Sequence, residues 1–173
     1  MMSAIKLSSR QSGFSLIEAL VGFLILSVGM LGIASLQTIS LRSGQTATYN
    51  SVAVIKAIEM IERIRANPTA VMSYAAATGD MGTDNGCNDS TGSVKRCVPT
   101  EVAADDIFQW KNDLVTAMPA DATASIVVTA PGAGEALTTV EINIFWSERE
   151  AEAAALLSRS YTVTTTVCGA LQC

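Results

Sequence analysis

Histidine is absent from all 173 residues, which removes the commonest general base and the commonest zinc ligand. No Ser/His or Cys/His pair can be assembled, and the carboxylates are scattered without an acid/base partner. The sequence therefore predicts no catalytic residues, no metal site and no cofactor; an enzyme is not expected. Lysine and arginine form no cluster. The formal charge is −5, and −7 once Lys6 and Arg10 of the first 13 residues are set aside. Such an acidic body argues against a nucleic-acid partner. Also missing is any C-x-x-C spacing, so a zinc knuckle is not indicated.

Between Gln11 and Leu41 the only ionisable side chain is Glu18. The apolar run from Phe14 to about Leu36 supplies roughly the 20 helical residues that a hydrocarbon core about 30 Å thick requires. It reads as a membrane segment with a carboxylate near its start. The polar leader before it carries Lys6 and Arg10 and no acid. By the positive-inside bias this leader stays cytoplasmic and the remainder of the chain lies across the membrane. An ordinary secretory signal begins in the same way, and Gly32-Ile33-Ala34 has the small-x-small form a signal peptidase accepts. Against that rival, the run exceeds the usual 7–15 residues and contains Glu18.

An exported chain favours disulfides. Cys87 and Cys97, then Cys168 and Cys173, are sequence neighbours that meet easily, so two local loops are expected among the three possible pairings. Free buried thiols in a cytosolic fold are the alternative.

Beyond Leu36 the helix continues as an amphipathic one. Val54, Ala57, Ile58, Ile61 and Ile64 follow i, i+3, i+4 spacing, with Lys56, Glu59, Glu62 and Arg63 expected on the other face. Glu59 and Arg63 form an i, i+4 pair in the favoured order. Asn67-Pro68 is a stop signal. One helix from Phe14 to about Ala66 would be roughly 80 Å long at 1.5 Å per residue. From Thr69 to Pro99 small and polar residues predict a surface loop region pinned by Cys87–Cys97. Asp80, Asp84, Asn85 and Asp89 invite a calcium reading, but the glycine and closing glutamate of the EF-hand template are absent. Solvated loop acids are the better account.

A short helix is predicted over residues 104–118, with Asp105 or Asp106 near its start, Ile107, Trp110, Leu114 and Met118 on one side, and Pro119 ending it. Three strands follow, at Ala124–Ala130, Leu137–Ser147 and Arg159–Cys168. Val140, Ile142, Ile144 and Trp146 share one face of the second. Tyr161, Val163, Thr165 and Val167 share one face of the third, opposite Thr162, Thr164 and Thr166. Pro131-Gly132-Ala133-Gly134 reads as a hairpin turn. Glu148–Leu157 reads as a helical turn or a long loop.

Gly13-Phe14-Ser15-Leu16-Ile17-Glu18 before a long apolar helix resembles the class III signal of type IV prepilins. The resemblance implies that a membrane prepilin peptidase cuts between Gly13 and Phe14, and that Phe14 becomes the N-methylated first residue. It also implies that Glu18 neutralises the N-terminal amine of a neighbouring subunit. A lone carboxylate in hydrocarbon costs several kcal/mol unless paired, and the cut creates the cation that can pair with it. The plainer account is that Glu18, one turn inside, reaches the headgroups. Gly29-Met30-Leu31-Gly32-Ile33-Ala34-Ser35-Leu36-Gln37 and Glu62-Arg63-Ile64-Arg65-Ala66-Asn67-Pro68 are similar to segments of the minor pilin family PilV, the type IV pilus modification proteins. So are Trp110-Lys111-Asn112-Asp113-Leu114 with Met118-Pro119, and the strand Ile144-Phe145-Trp146. Major pilins carry a proline where this chain has Ser35, and its lack fits a minor pilin.

The expected fold is therefore α+β and type IV pilin-like, a long N-terminal helix packed on a small antiparallel sheet. Residues 1–13 are the expected cleaved leader, 14–36 the membrane half of the helix, 37–67 its amphipathic half, and 68–173 the head with two disulfide loops. The resemblance implies a minor pilin stored in the inner membrane with its head in the periplasm, then carried into the surface pilus. Its implied partners are prepilin peptidase, other minor pilins and the major pilin. A minor pseudopilin of a type II secretion system and an exported binding protein with an ordinary signal are the other readings.

Overall fold

A computed structural model describes residue 13 and residues 15–87, 95–133, 135–149 and 155–169. Helix α1 spans Leu16–Ala66, a short 3-10 segment Pro68–Tyr74, helix α2 Pro99–Ala117, and strands β1, β2 and β3 Thr123–Thr129, Leu137–Arg149 and Leu156–Cys168. The strands form one antiparallel sheet in the order β1-β2-β3. This is the α+β arrangement of a long N-terminal helix followed by a small three-stranded sheet. Contacts divide the chain into one unit ending at Arg42 and a second beginning at Ser43. The first unit is helical from Leu16 onward, and the helix passes through Ser35 without a break.

The core lies in the second unit. Ala53, Ala57, Met60, Ile61 and Ile64 of α1 join Ile107, Trp110 and Leu114 of α2 and Val140, Ile142, Ile144 and Trp146 of β2 in one cluster. The buried line on α1 is displaced from the expected one. Ile58 is 51% exposed and Val54 only partly covered, whereas Ala53 and Met60 are fully buried. Both lines satisfy helical spacing. Ala57, Ile61 and Ile64 of the expected line are buried, and only Val54 and Ile58 give way, to Ala53 and Met60. Lys56, Glu59 and Arg63 were expected on the solvent face and are only partly exposed, because α2 lies beside them: Lys56 accepts a bond from Trp110 and Arg63 pairs with Asp106.

Helix α2 begins earlier than residue 104. Proline at its first turn is pre-set for helix, and the Glu101 carboxylate accepts the Val98 backbone N–H at 3.1 Å, half of a capping box. Asp105 and Asp106 are therefore interior residues of the helix and not its caps. Ile107, Trp110, Leu114 and Met118 are buried as their spacing predicts. The expected loop after Thr69 opens instead as the 3-10 segment, and it contributes Ala70, Val71 and Tyr74 to the interior, with Ala76 bridging to Ile126 of β1.

The alternation of β2 places Thr138, Val140, Ile142, Ile144 and Trp146 inward. Tyr161, Val163 and Thr165 of β3 are half-buried on the same side, and Val167 is fully buried. The residues expected as a helical turn or loop at Glu148–Leu157 are strand at both ends, since Glu148 pairs with Leu157 and Arg149 with Leu156. Strand pairing continued past the alternating core because the register permits it, polar or not. Between β1 and β2, Glu135 N–H donates to the Gly132 carbonyl at 3.0 Å, closing the turn.

Candidate functional site

The first turn of α1 is organised by Ser15. Its carbonyl accepts the N–H groups of Glu18 at 3.0 Å and Ala19 at 3.2 Å, so Ser15 occupies the cap position and Glu18 the third helical one. An acid there is favoured by the positive end of the helix dipole, which offsets part of its cost in an apolar run. The Ser-x-x-Glu spacing of residues 15–18 is a helix-start signal visible in the sequence alone. Gly13 is exposed, and a Cβ added to it would meet nothing within 4 Å. The fold of this chain does not itself require glycine there. Phe14, Lys6 and Arg10 lie outside the described residues.

The helix beyond Glu18 is apolar on every side. Leu16, Ile17, Leu20, Phe23, Leu24 and Leu31 are among its large exposed side chains, and an 18-residue window reaches a mean hydropathy of 2.3 with none of it buried. By length and composition it can cross a membrane. Two of its hydroxyls are satisfied within the helix. Ser27 Oγ donates to the Leu24 carbonyl at 2.8 Å and Thr38 Oγ1 to that of Ser35 at 2.7 Å, which makes them tolerable in hydrocarbon. Glu18, Ala19, Gly22, Phe23 and Leu26 line a shallow hollow of about 240 Å³ on the helix surface. The arrangement offers one carboxylate beside a surface kept low by Ala19 and Gly22.

In the second unit the polar groups act as staples. Arg63 reaches Glu59 Oε1 at 2.7 Å and Asp106 Oδ1 at 3.2 Å. The Tyr74 hydroxyl donates to Asp106 Oδ2 at 2.7 Å, and Asn67 Nδ2 donates to the Pro99 carbonyl at 2.8 Å. These bonds tie the end of α1 to the 3-10 segment and to α2, which gives a structural role to Arg63 and Asn67 of the Glu62–Pro68 segment. Burial disfavours the Arg63 cation, but Glu59 and Asp106 outweigh it and raise its pKa. Burial opposes the Glu59 carboxylate too, yet Lys56 and Arg63 bring its pKa below the usual value. Burial and then the neighbouring Asp106 push the Tyr74 phenol well up.

The acidic loop is likewise structural. Asp80 Oδ1 accepts the Gly82 N–H and Asp84 Oδ1 the Gly86 N–H. Gly82 has φ +69°, and a Cβ there would lie 2.5 Å from the Ala104 carbonyl oxygen, so the loop rests directly on α2. Asp105, fully buried, accepts from Asn85 N–H at 2.8 Å, and Lys111 donates its ammonium to the carbonyls of Ala77 and Asp80. Burial lowers the Lys111 pKa, with Asp80 opposing. Asp89 lies outside the described residues. Among the described residues no three His, Cys, Asp or Glu side chains are grouped for a metal.

A disulfide joins Cys87 to Cys97 and closes this loop. Cys168 is also disulfide-bonded; its expected partner, Cys173, lies outside the described residues.

Residues 8–34 match the model of the prokaryotic N-terminal methylation motif, and residues 35–108 match that of the Tt1218-like family, type IV pilin Tt1218. The two matches adjoin and support a type IV pilin whose N-terminus carries the signal for processing. No curated protein and no solved structure matches the chain.

Proposed function

We propose that this chain is a minor type IV pilin of the PilV kind, a structural subunit and not an enzyme; the two adjoining family matches support the type IV pilin, and the PilV-like segments of the sequence the narrower reading. Prepilin peptidase removes residues 1–13 by cutting Gly13–Phe14, and Phe14 becomes the methylated N-terminus. The apolar part of α1 holds the subunit in the inner membrane with its head in the periplasm. Assembly with other minor pilins and the major pilin then carries it into the pilus, near the tip.

The observation that carries this reading is the start of α1. Gly13 has open space where a side chain would stand, so the demand for glycine comes from outside the fold, as a peptidase cleft would make it. Glu18 is in the first helical turn, exposed and without an ion pair among the described residues. A methylated amine at Phe14 of a neighbouring subunit supplies the charge it lacks, and Gly22 keeps the approach to it low. Pairing removes the cost of a lone carboxylate in hydrocarbon only when subunits are in register, so the charge acts as an assembly signal. Mass spectrometry of the mature N-terminus tests the processing. A methylated start at Phe14 is expected, whereas a start at Ser35 returns the chain to the ordinary exported proteins.

A further inference from the structure

On the sheet face turned away from the core, the strand register assembles a small polar hollow that the pilin reading does not use. Thr123 of β1, Phe145 of β2 and Ser160 of β3 stand in one cross-strand row, and Ser147 pairs with Ser158 in the next row. Phe145 is 39% exposed, an aromatic ring flanked in its own and the next row by Thr123, Ser160, Ser147 and Ser158. The small serines around it leave a depression of about 320 Å³, with exposed Asp121 at its side. That volume is at the lower end of the range for small-molecule sites.

The hydroxyls differ from those farther along the same face. There Thr162 Oγ1 donates to Asn143 Oδ1 at 2.7 Å, and Asn143 Nδ2 donates to Glu141 Oε1 at 2.9 Å, so that stretch satisfies itself. Among the described residues no side-chain bond engages Thr123, Ser147, Ser158, Ser160 or Asp121. Their donors and acceptors are left to whatever fills the hollow. Arg159 also lines the hollow, but its cation is drawn to Glu148, 3.6 Å away, so among the described residues Asp121 is the lining charge without an ion pair.

We propose that this hollow is a binding site for a neutral saccharide, with Phe145 as its platform. A pyranose presents a face of C–H groups that suits an aromatic ring and a rim of hydroxyls that both donate and accept. Serine and threonine hydroxyls do the same, and a carboxylate accepts two sugar hydroxyls strongly. Sugar hydroxyls can reproduce the bonds that these exposed groups otherwise make to solvent. An apolar ligand would leave the serines unsatisfied, and an acidic sugar would face Asp121. The site lies wholly in the second unit and does not depend on the pilin assignment.

Saturation-transfer NMR on the full chain, held in micelles of a detergent without a sugar headgroup, tests the proposal. The probes are lactose, cellobiose, maltose and N,N′-diacetylchitobiose at about 5 mM, above the millimolar affinity such a small site supports, with sialyllactose as the charged comparison. Transfer to the ring protons of at least one neutral disaccharide is expected. It should fall by roughly fivefold or more in Phe145→Ala, which removes the platform, and in Ser158→Leu, which fills the hollow. Both positions are exposed, so neither change threatens the core. No transfer from the unaltered chain to any neutral sugar overturns the proposal. So does transfer that both variants leave unchanged, or a stronger signal for sialyllactose.

Discussion

The Trp110 indole N–H donates to the main-chain carbonyl of Lys56 across 2.8 Å, joining the middle of α2 to α1. The side chain is fully buried, so it contributes both packing and one directed bond between helices. The two contributions separate by substitution. Trp110→Phe keeps most of the ring and leaves the Lys56 carbonyl within its helix, at a cost of about 1 kcal/mol. Trp110→Ala empties the site and should cost about 3–5 kcal/mol. Urea unfolding in micelles followed by circular dichroism gives both numbers. Equal losses would mean that the bond, and not the ring, holds the helices together.

Lys111 provides the pH dependence. Its ammonium is buried and its pKa lies below the ordinary 10.5, chiefly because burial disfavours the charge. Between that lowered value and 10.5 the unfolded chain binds more protons than the folded one, so folding stability rises with pH across this alkaline window. One proton limits the slope to about 1.4 kcal/mol per pH unit. Lys111→Met keeps the stem but loses the titration. The unaltered chain should therefore gain stability relative to the variant as pH approaches 10.5. A difference that stays flat, or shrinks, over this window would contradict the buried charge.

The displaced stripe on α1 gives a direct comparison. Met60 is fully buried and Ile58 is 51% exposed. Met60→Ala should cost about 2–5 kcal/mol, whereas Ile58→Ala should stay within about 0.5 kcal/mol, as exposed positions do. Urea midpoints at constant m-value rank the two. The reverse order would put Ile58, and not Met60, on the core face.

These cases mark how far the sequence could be read. Local patterns were legible because their cause is local: period two placed Val140, Ile142, Ile144 and Trp146 together, and i, i+3, i+4 spacing placed Ile107, Trp110 and Leu114. The N-terminal signal is local in the same way, and residues 8–34 match the methylation-motif model. The start of α2 was missed because Val98 is no ordinary cap. Tyr74 was missed as core because its partner, Asp106, is 32 residues away. The hollow at Phe145 requires the register of three strands, which no single strand pattern contains. The α2 start failed for want of a local signal, whereas Tyr74 and the hollow depend on long-range pairing.

Glu18 is where charge pairing and headgroup contact lead to different outcomes. If Glu18 neutralises the amine of a neighbouring subunit, the essential property is its negative charge. Glu18→Gln keeps size and hydrogen bonding but removes that charge, so it should fail to assemble as fully as Glu18→Ala does. If the side chain only reaches the headgroups, the glutamine does the same and should assemble normally. Cleavage should be intact in both variants, since Gly13 and Phe14 are unchanged. Comparing the chain in sheared pili with that in the membrane fraction reads assembly independently of processing. A drop of roughly tenfold or more for both variants, equivalent to about 1.4 kcal/mol or more of lost pairing, is expected. Incorporation of Glu18→Gln at the level of the unaltered chain would remove the pairing role and leave Glu18 as a headgroup contact.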